Sequence, residues 1–262
     1  MSHYLSSLPL WLGTLLVVII PTAAAMIGTV FVRRRVGLER LTSNNEIAGF
    51  KFATVGVIYA VLLAFAVIVV WERFSDAETA VLQEAGAAAT LYRLSAGPVS
   101  EAAEMRNALS NYLGLAIEKD WPRMAGEDAS DDVRKALDDL YLAAIRASSA
   151  NSGSSALYSE IFKQLDTLTQ SRRTRIQLAA GIVPSVLWLV LVFGAILTVG
   201  FTFFFGTENL SAQVLMTGIL STIVFMGLLV IISINHPFTG PVHIDSEALS
   251  RVLTDFGHAP NT

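Results

Sequence analysis

The chain has 262 residues, of which 53% are hydrophobic and only 15% charged, where a soluble globular domain carries about 25% charged residues. With no cysteine it can form neither disulfides nor thiolate metal sites nor a cysteine nucleophile. A net charge of −4 gives no general basis for nucleic-acid affinity.

In chain order, Leu8 to Val32 is the first predicted span, an uncharged run closed by Arg33-Arg34-Arg35. No positively charged segment precedes it, so it reads as a retained helix rather than a signal peptide. Pro21, within it, removes one backbone hydrogen bond and is expected to kink the helix, with Thr22 helping to satisfy the freed group. Val36 to Lys51 reads as a short polar connection. Phe52 to Val70 is the second span, nineteen uncharged residues that make about 28 Å of helix, close to the hydrocarbon thickness of a bilayer. Trp71 suits the membrane–water boundary. Neither Gly nor Pro follows Glu72-Arg73 at once, so the helix is predicted to run on into water as a strut joining two domains.

Residues 75–181 read as a helical soluble domain. Ala102, Met105, Leu109, Tyr112 and Ala116 follow a 3-4-3-4 rhythm, and Val133, Leu137, Leu140 and Ala144 a 4-3-4 rhythm. Breaks are predicted at Gly97-Pro98, Trp121-Pro122 with Gly126, and 151–155. Helices are therefore expected at about 99–119, 130–148 and 156–180. A third span follows over Ile182 to Phe205, with Pro184 near its start, where proline costs little. A very short turn then leads to a fourth span over Ala212 to Ile234, and a tail with a helix-like end. The predicted fold class is all-α: four transmembrane helices with a helical soluble domain inserted between spans two and three. The predicted divisions are 1–74, 75–181, 182–235 and 236–262.

No nucleophile elbow, histidine pair or phosphate-binding loop is present, and the spans lack ionisable residues other than Tyr59. Neither an enzyme nor a proton-coupled transporter is expected, because such transporters place an acid or histidine in the membrane. No cofactor and no metal is expected. The acidic turn from Glu127 to Asp132 lacks the spacing and glycine of a calcium loop, and reads as a solvated helix start. A channel remains open, since hydrophobic constrictions gate by dewetting. Val57, Val61 and Phe65 lie four residues apart on one stripe of the second span.

The run from Leu62 to Phe74 resembles the second membrane helix of bestrophins, through Ala64-Phe65 followed eight residues later by Arg73-Phe74. Bestrophins more often carry Gly before that Phe and two Trp after the Arg. A second match is Asn235-His236-Pro237-Phe238, which resembles the family's Asn-Pro-Phe-Gly segment. The nearest grouping is that of bacterial bestrophin-like proteins. The resemblance implies an ion channel subunit in a homo-oligomer, a pentamer, with small inorganic ions and the lipid bilayer as its other partners. It aligns Val57, Val61 and Phe65 with the hydrophobic rings of the pore neck, with Val where the family has Phe at one ring, so that anion contact with ring edges rests mainly on Phe65. Asn235, Pro237 and Phe238 fall in a gating segment beyond the last helix. The dense acid run that helps hold calcium in animal bestrophins is missing, with only Asp245 and Glu247 following Phe238.

Arg172, Arg173 and Arg175 are expected to touch lipid headgroups or an anion in a vestibule. Cations flanking the spans balance, five on each side, so they leave the orientation open. The triple Arg favours a cytoplasmic first connection; the resemblance implies the reverse, a cytoplasmic helical domain in the cell inner (plasma) membrane. The rival reading is a non-conducting, membrane-anchored helical receptor or scaffold.

Overall fold

The computed structural model describes residues 8–43, 45–95, 100–150 and 155–258. Every regular element among them is helical. In chain order these are α1, Leu10–Val36; α2, Leu38–Thr42; α3, Asn45–Leu94; α4, Ser100–Leu115; α5, Asp131–Ala150; α6, Ser155–Ala179; α7, Ser185–Phe204; α8, Leu210–Ile234; and α9, Glu247–His258. Helices α1, α3, α7 and α8 are long and apolar enough to cross a membrane. The chain divides into two compact units, one of Met1–Glu72, Gly181–His236 and Gly240–Val242, the other of Arg73–Ala180, Pro237–Thr239 and His243–Thr262.

In the first unit, α1 meets the Pro21 problem by widening rather than by breaking. A π-turn over Leu15–Ile19 precedes the proline and includes Val17, whose carbonyl a proline at 21 leaves without its donor. Thr22 does not supply the substitute: its Oγ1 is buried without a hydrogen-bond partner among the described residues. Gly37, at φ 81°, ends α1 in a conformation that glycine adopts freely. The connection after it is partly helical, as α2, and α3 begins at Asn45, seven residues before the predicted span.

Small residues let these helices approach closely, as they do where lipid supplies no hydrophobic drive between helices. A Cβ added to Gly194 would lie 2.6 Å from the Tyr59 ring, one on Gly227 2.6 Å from Leu63, and one on Gly28 2.8 Å from Phe203. Thr29 donates to Thr217 at 3.2 Å across α1 and α8. Polar side chains close the turn between α7 and α8. Arg33 donates to the carbonyls of Thr207 (2.5 Å) and Glu208 (2.9 Å) and to Gln213 Oε1 (2.9 Å). Asn45 donates to the Gly206 carbonyl at 2.6 Å and accepts from the Gly206 N–H at 3.0 Å. Asn209 caps α8 by accepting from the N–H groups of Ser211 and Ala212.

The second unit has a water-soluble kind of core, with Leu91, Leu109, Tyr112, Leu113, Leu140, Leu165 and Leu168 buried together. Of the break predicted at Trp121-Pro122 with Gly126, only the Gly126 part occurs. A π-turn over Ala116–Asp120 carries the helix onward from α4 through Trp121–Met124, with Pro122 in a first turn, where its missing N–H costs little. The chain turns instead at Ala125–Ser130, with Glu127 at φ 61°. The predicted breaks at Gly97-Pro98 and at 151–154 lie outside the described residues. The tail does not stand apart: Leu249 of α9 is fully buried in this core, and the Phe256 ring stacks on Tyr92 with centroids 3.8 Å apart.

Candidate functional site

Helix α3 has two faces within the first unit. Tyr59, Ala66 and Val70 are buried and, with Leu63, repeat at 4-3-4, the seam spacing of a packed helix. The Tyr59 hydroxyl donates to the Leu191 carbonyl at 3.1 Å. On the opposite side Val57, Val61 and Phe65 are 63%, 48% and 64% exposed. The three thus share one open stripe, with successive members about 6 Å apart along the helix axis. Ile58, Leu62 and Val69 are exposed beside them, so the open sector is wider than the stripe. Sequence spacing alone makes Tyr59 and Leu63 a neutral control face for mutation; they are instead the packing seam, and changes there would disturb the fold.

Asn235, just after α8, fastens the entry to the third span. Its carbonyl accepts from Ile182 N–H at 3.1 Å, its Oδ1 from Val183 N–H at 2.9 Å, and its Nδ2 lies 3.2 Å from His236 Nδ1. Gly181 is required by this clasp, since a Cβ there would lie 2.8 Å from His236 Nε2. Pro237 and Phe238 belong to the second unit. There the Pro237 carbonyl accepts from Ile244 N–H at 2.8 Å. Phe238 is buried with Ala77, Val81, Met124 and Ala179, its ring edge-on to Trp121.

The three α6 arginines part company. Arg175 is fully buried and meets Glu84 through two bonds, Nε to Oε2 at 2.7 Å and Nη2 to Oε1 at 3.0 Å. Its Nη2 lies 3.5 Å from Asp120, and its guanidinium sits 4.5 Å from the centre of the Trp121 ring. The Tyr112 hydroxyl donates to Glu84 Oε1 at 2.6 Å. Arg172 binds Asp120 at 2.9 and 3.3 Å and donates to the Ser130 carbonyl, while Ser130 N–H donates to Asp120 Oδ1 at 2.8 Å. Burial pushes the Tyr112 phenol well above its ordinary pKa, and the neighbouring Glu84 charge pushes it further. Burial works against the Arg175 charge, but Glu84, by charge and hydrogen bond, more than offsets it and raises the arginine's proton affinity. The expected lipid or vestibule contacts therefore fail for Arg172 and Arg175, whose donors are spent inside the domain. Arg173 alone of the three is exposed. Glu84, Asp120 and Tyr112 escape a sequence reading, because Arg175 and Glu84 stand 91 positions apart. The one local hint is Glu84 itself, a single Glu directly before the Ala-rich run 85–89.

The fold and these faces define an all-α integral membrane protein with four candidate spans and a helical domain between the second and third. The chain belongs to the bestrophin-like domain family, whose family model matches residues 19–249. Its fold is similar to a crystal structure of a bacterial bestrophin homologue from Klebsiella pneumoniae, at 18% identity and TM-score 0.71 over 92% of this chain and 98% of that one. A mutant form of that homologue aligns equally well, at 18% identity and TM-score 0.71 over 91% and 98% of the two chains. A structure described only as a membrane protein aligns at 15% identity and TM-score 0.71, over 91% and 97%. No curated protein sequence matches the chain.

Proposed function

We propose that the protein is an ion channel subunit, passing anions through a pore that forms when several copies, a pentamer by the family resemblance, ring their second spans about an axis. One observation carries this reading: the stripe of Val57, Val61 and Phe65 is open, while the opposite face of the same helix is packed. Facing an axis, the three make stacked apolar collars, from which water withdraws when the collar is narrow. Ions then meet a barrier without a charged gate. A single four-helix subunit is too thin to enclose a pore, so the ring is integral to the proposal. Asn235, Pro237 and Phe238 are assigned to a segment whose rearrangement would gate it, and Arg173 to a vestibule or headgroup contact. The membrane is the cell inner (plasma) membrane, with the helical domain cytoplasmic.

The test replaces Val57, Val61 and Phe65 together by Ala and measures ion flux into liposomes. Flux should rise, with weaker selectivity. The control replaces Val186, Leu189 and Phe193, which are exposed on α7. Unchanged flux in a folded, correctly assembled triple mutant, or an equal rise in the control, would sink the pore assignment. One feature favours a non-conducting receptor or scaffold: the second unit completes its own core within one chain. Counting subunits in the purified protein separates the two, since a stable monomer has no axial pore.

A further inference from the structure

A groove of about 530 Å³ opens in the first unit where α1 ends, α3 begins and α7 ends, a volume in the range of small-molecule sites. Its floor is apolar, formed by Val36, Leu41, Ile47, Ala48 and the Phe201 and Phe204 rings. Val36, Ile47 and Phe204 keep large fractions of their surface open. Two cations, Arg40 and Lys51, complete the lining. Lys51 stands one helical turn beyond Ile47 on the same face of α3. Among the described residues neither cationic side chain makes an ion pair or hydrogen bond, whereas nearby Arg33 is fully engaged with the α7–α8 turn and Arg35 lies over the Phe31 ring.

The groove sits at the ends of three apolar spans, and so at the boundary between hydrocarbon and water. An apolar trough there is filled by an acyl chain, and two unspent cations at its margin call for a negative headgroup. We propose that this groove is a binding site for an anionic phospholipid, its chain lying on Val36, Ile47 and Phe204 and its phosphate held between Arg40 and Lys51. Cations near a membrane surface each add to affinity for anionic lipid, and the two together predict a preference on the order of tenfold to thirtyfold over a zwitterionic lipid.

The experiment uses the full chain in nanodiscs of phosphatidylcholine with or without phosphatidylglycerol, and counts the lipids retained on release by native mass spectrometry. The wild type should retain phosphatidylglycerol preferentially, and the double change Arg40→Gln, Lys51→Gln should abolish the preference. Ala48→Trp fills the half-buried floor but keeps both cations, and it should also lose the bound lipid. The paired change Arg34→Gln, Arg35→Gln removes equal charge outside the groove and should leave the preference intact. Equal loss in that pair, or full retention in Ala48→Trp, would reduce the effect to general surface charge and overturn the site. Displacement of the lipid by inorganic phosphate would likewise overturn it, as a site for a free anion rather than a lipid. Circular dichroism and oligomer size of each variant keep a folding defect from passing as a loss of binding.

Discussion

The two units of this chain are both helical, yet they are held together by opposite means. The membrane unit packs glycine against a bulky partner, Gly194 on Tyr59 and Gly227 on Leu63, and away from Arg33 at the end of α1 its inter-helix polar contacts are neutral, as between Thr29 and Thr217 and between Tyr59 and the Leu191 carbonyl. The second unit buries a leucine-rich core and, beside it, two carboxylates with two guanidiniums. Where lipid surrounds the helices, burial of apolar surface drives nothing, so fit must do the work and charge is excluded. Where water surrounds them, apolar burial supplies enough stabilisation to carry a charge cluster that is itself costly to desolvate. The cluster is matched rather than strengthened: each charge is tolerable because the others are present.

Removing one member should therefore break the second unit hardest. Arg175→Met leaves Glu84 buried beside Tyr112 without its cation, and a broken buried pair costs about 3–5 kcal/mol. Urea unfolding should show this loss. The double change Glu84→Leu, Arg175→Leu should recover much of it, since no charge is then stranded. A single mutant as stable as the wild type would mean that the cluster holds nothing in place.

These means of cohesion were unequally legible in the sequence. The spans were legible because an uncharged run of bilayer length has few other uses, and all four appear as helices. The long second helix was legible because nothing in 71–94 stops it. Trp121-Pro122 misled because proline marks a break only where its N–H is needed, and the preceding π-turn removes that need. Arg172 and Arg175 misled because they stand close to a span in sequence, while their partners Asp120 and Glu84 stand 52 and 91 positions away. No local spacing records such a pairing. The Val57, Val61 and Phe65 stripe was legible as a stripe, but which face packs depends on Gly194 and Gly227 in other helices.

The corresponding break in the membrane unit is smaller. Gly194→Ala would put a methyl 2.6 Å from the Tyr59 ring, forcing the ring aside and stretching its bond to the Leu191 carbonyl. Overpacking of this kind costs about 1–3 kcal/mol, read as a fall in thermal stability in detergent. Adding Tyr59→Ala to Gly194→Ala should remove the clash, so that the second change costs less than Tyr59→Ala alone does. Additive effects would separate Gly194 from Tyr59 and leave the glycine without a packing role.

The smallest effect belongs to the exposed pairs of the second unit, and it sharpens the contrast with its buried cluster. Lys119 Nζ lies 2.5 Å from Asp132 Oδ2 with both side chains about half exposed. The hydrogen bond and charge of Lys119 lower the Asp132 pKa below its ordinary 3.8. A carboxylate with a depressed folded-state pKa contributes stability that is present above its unfolded value and lost as pH falls through the folded one. The contribution should thus persist at neutral pH and disappear only below about pH 3.8. Exposed pairs are screened by water and salt and contribute little, so Lys119→Ala should lower the melting temperature only slightly at neutral pH. That small difference should shrink in high salt and vanish in strong acid. In the buried cluster, by contrast, water and salt do not reach Arg175, so the loss in Arg175→Met should be nearly independent of salt. A Lys119→Ala defect as large and as salt-insensitive as that of Arg175→Met would erase the distinction between paired surface charge and matched buried charge.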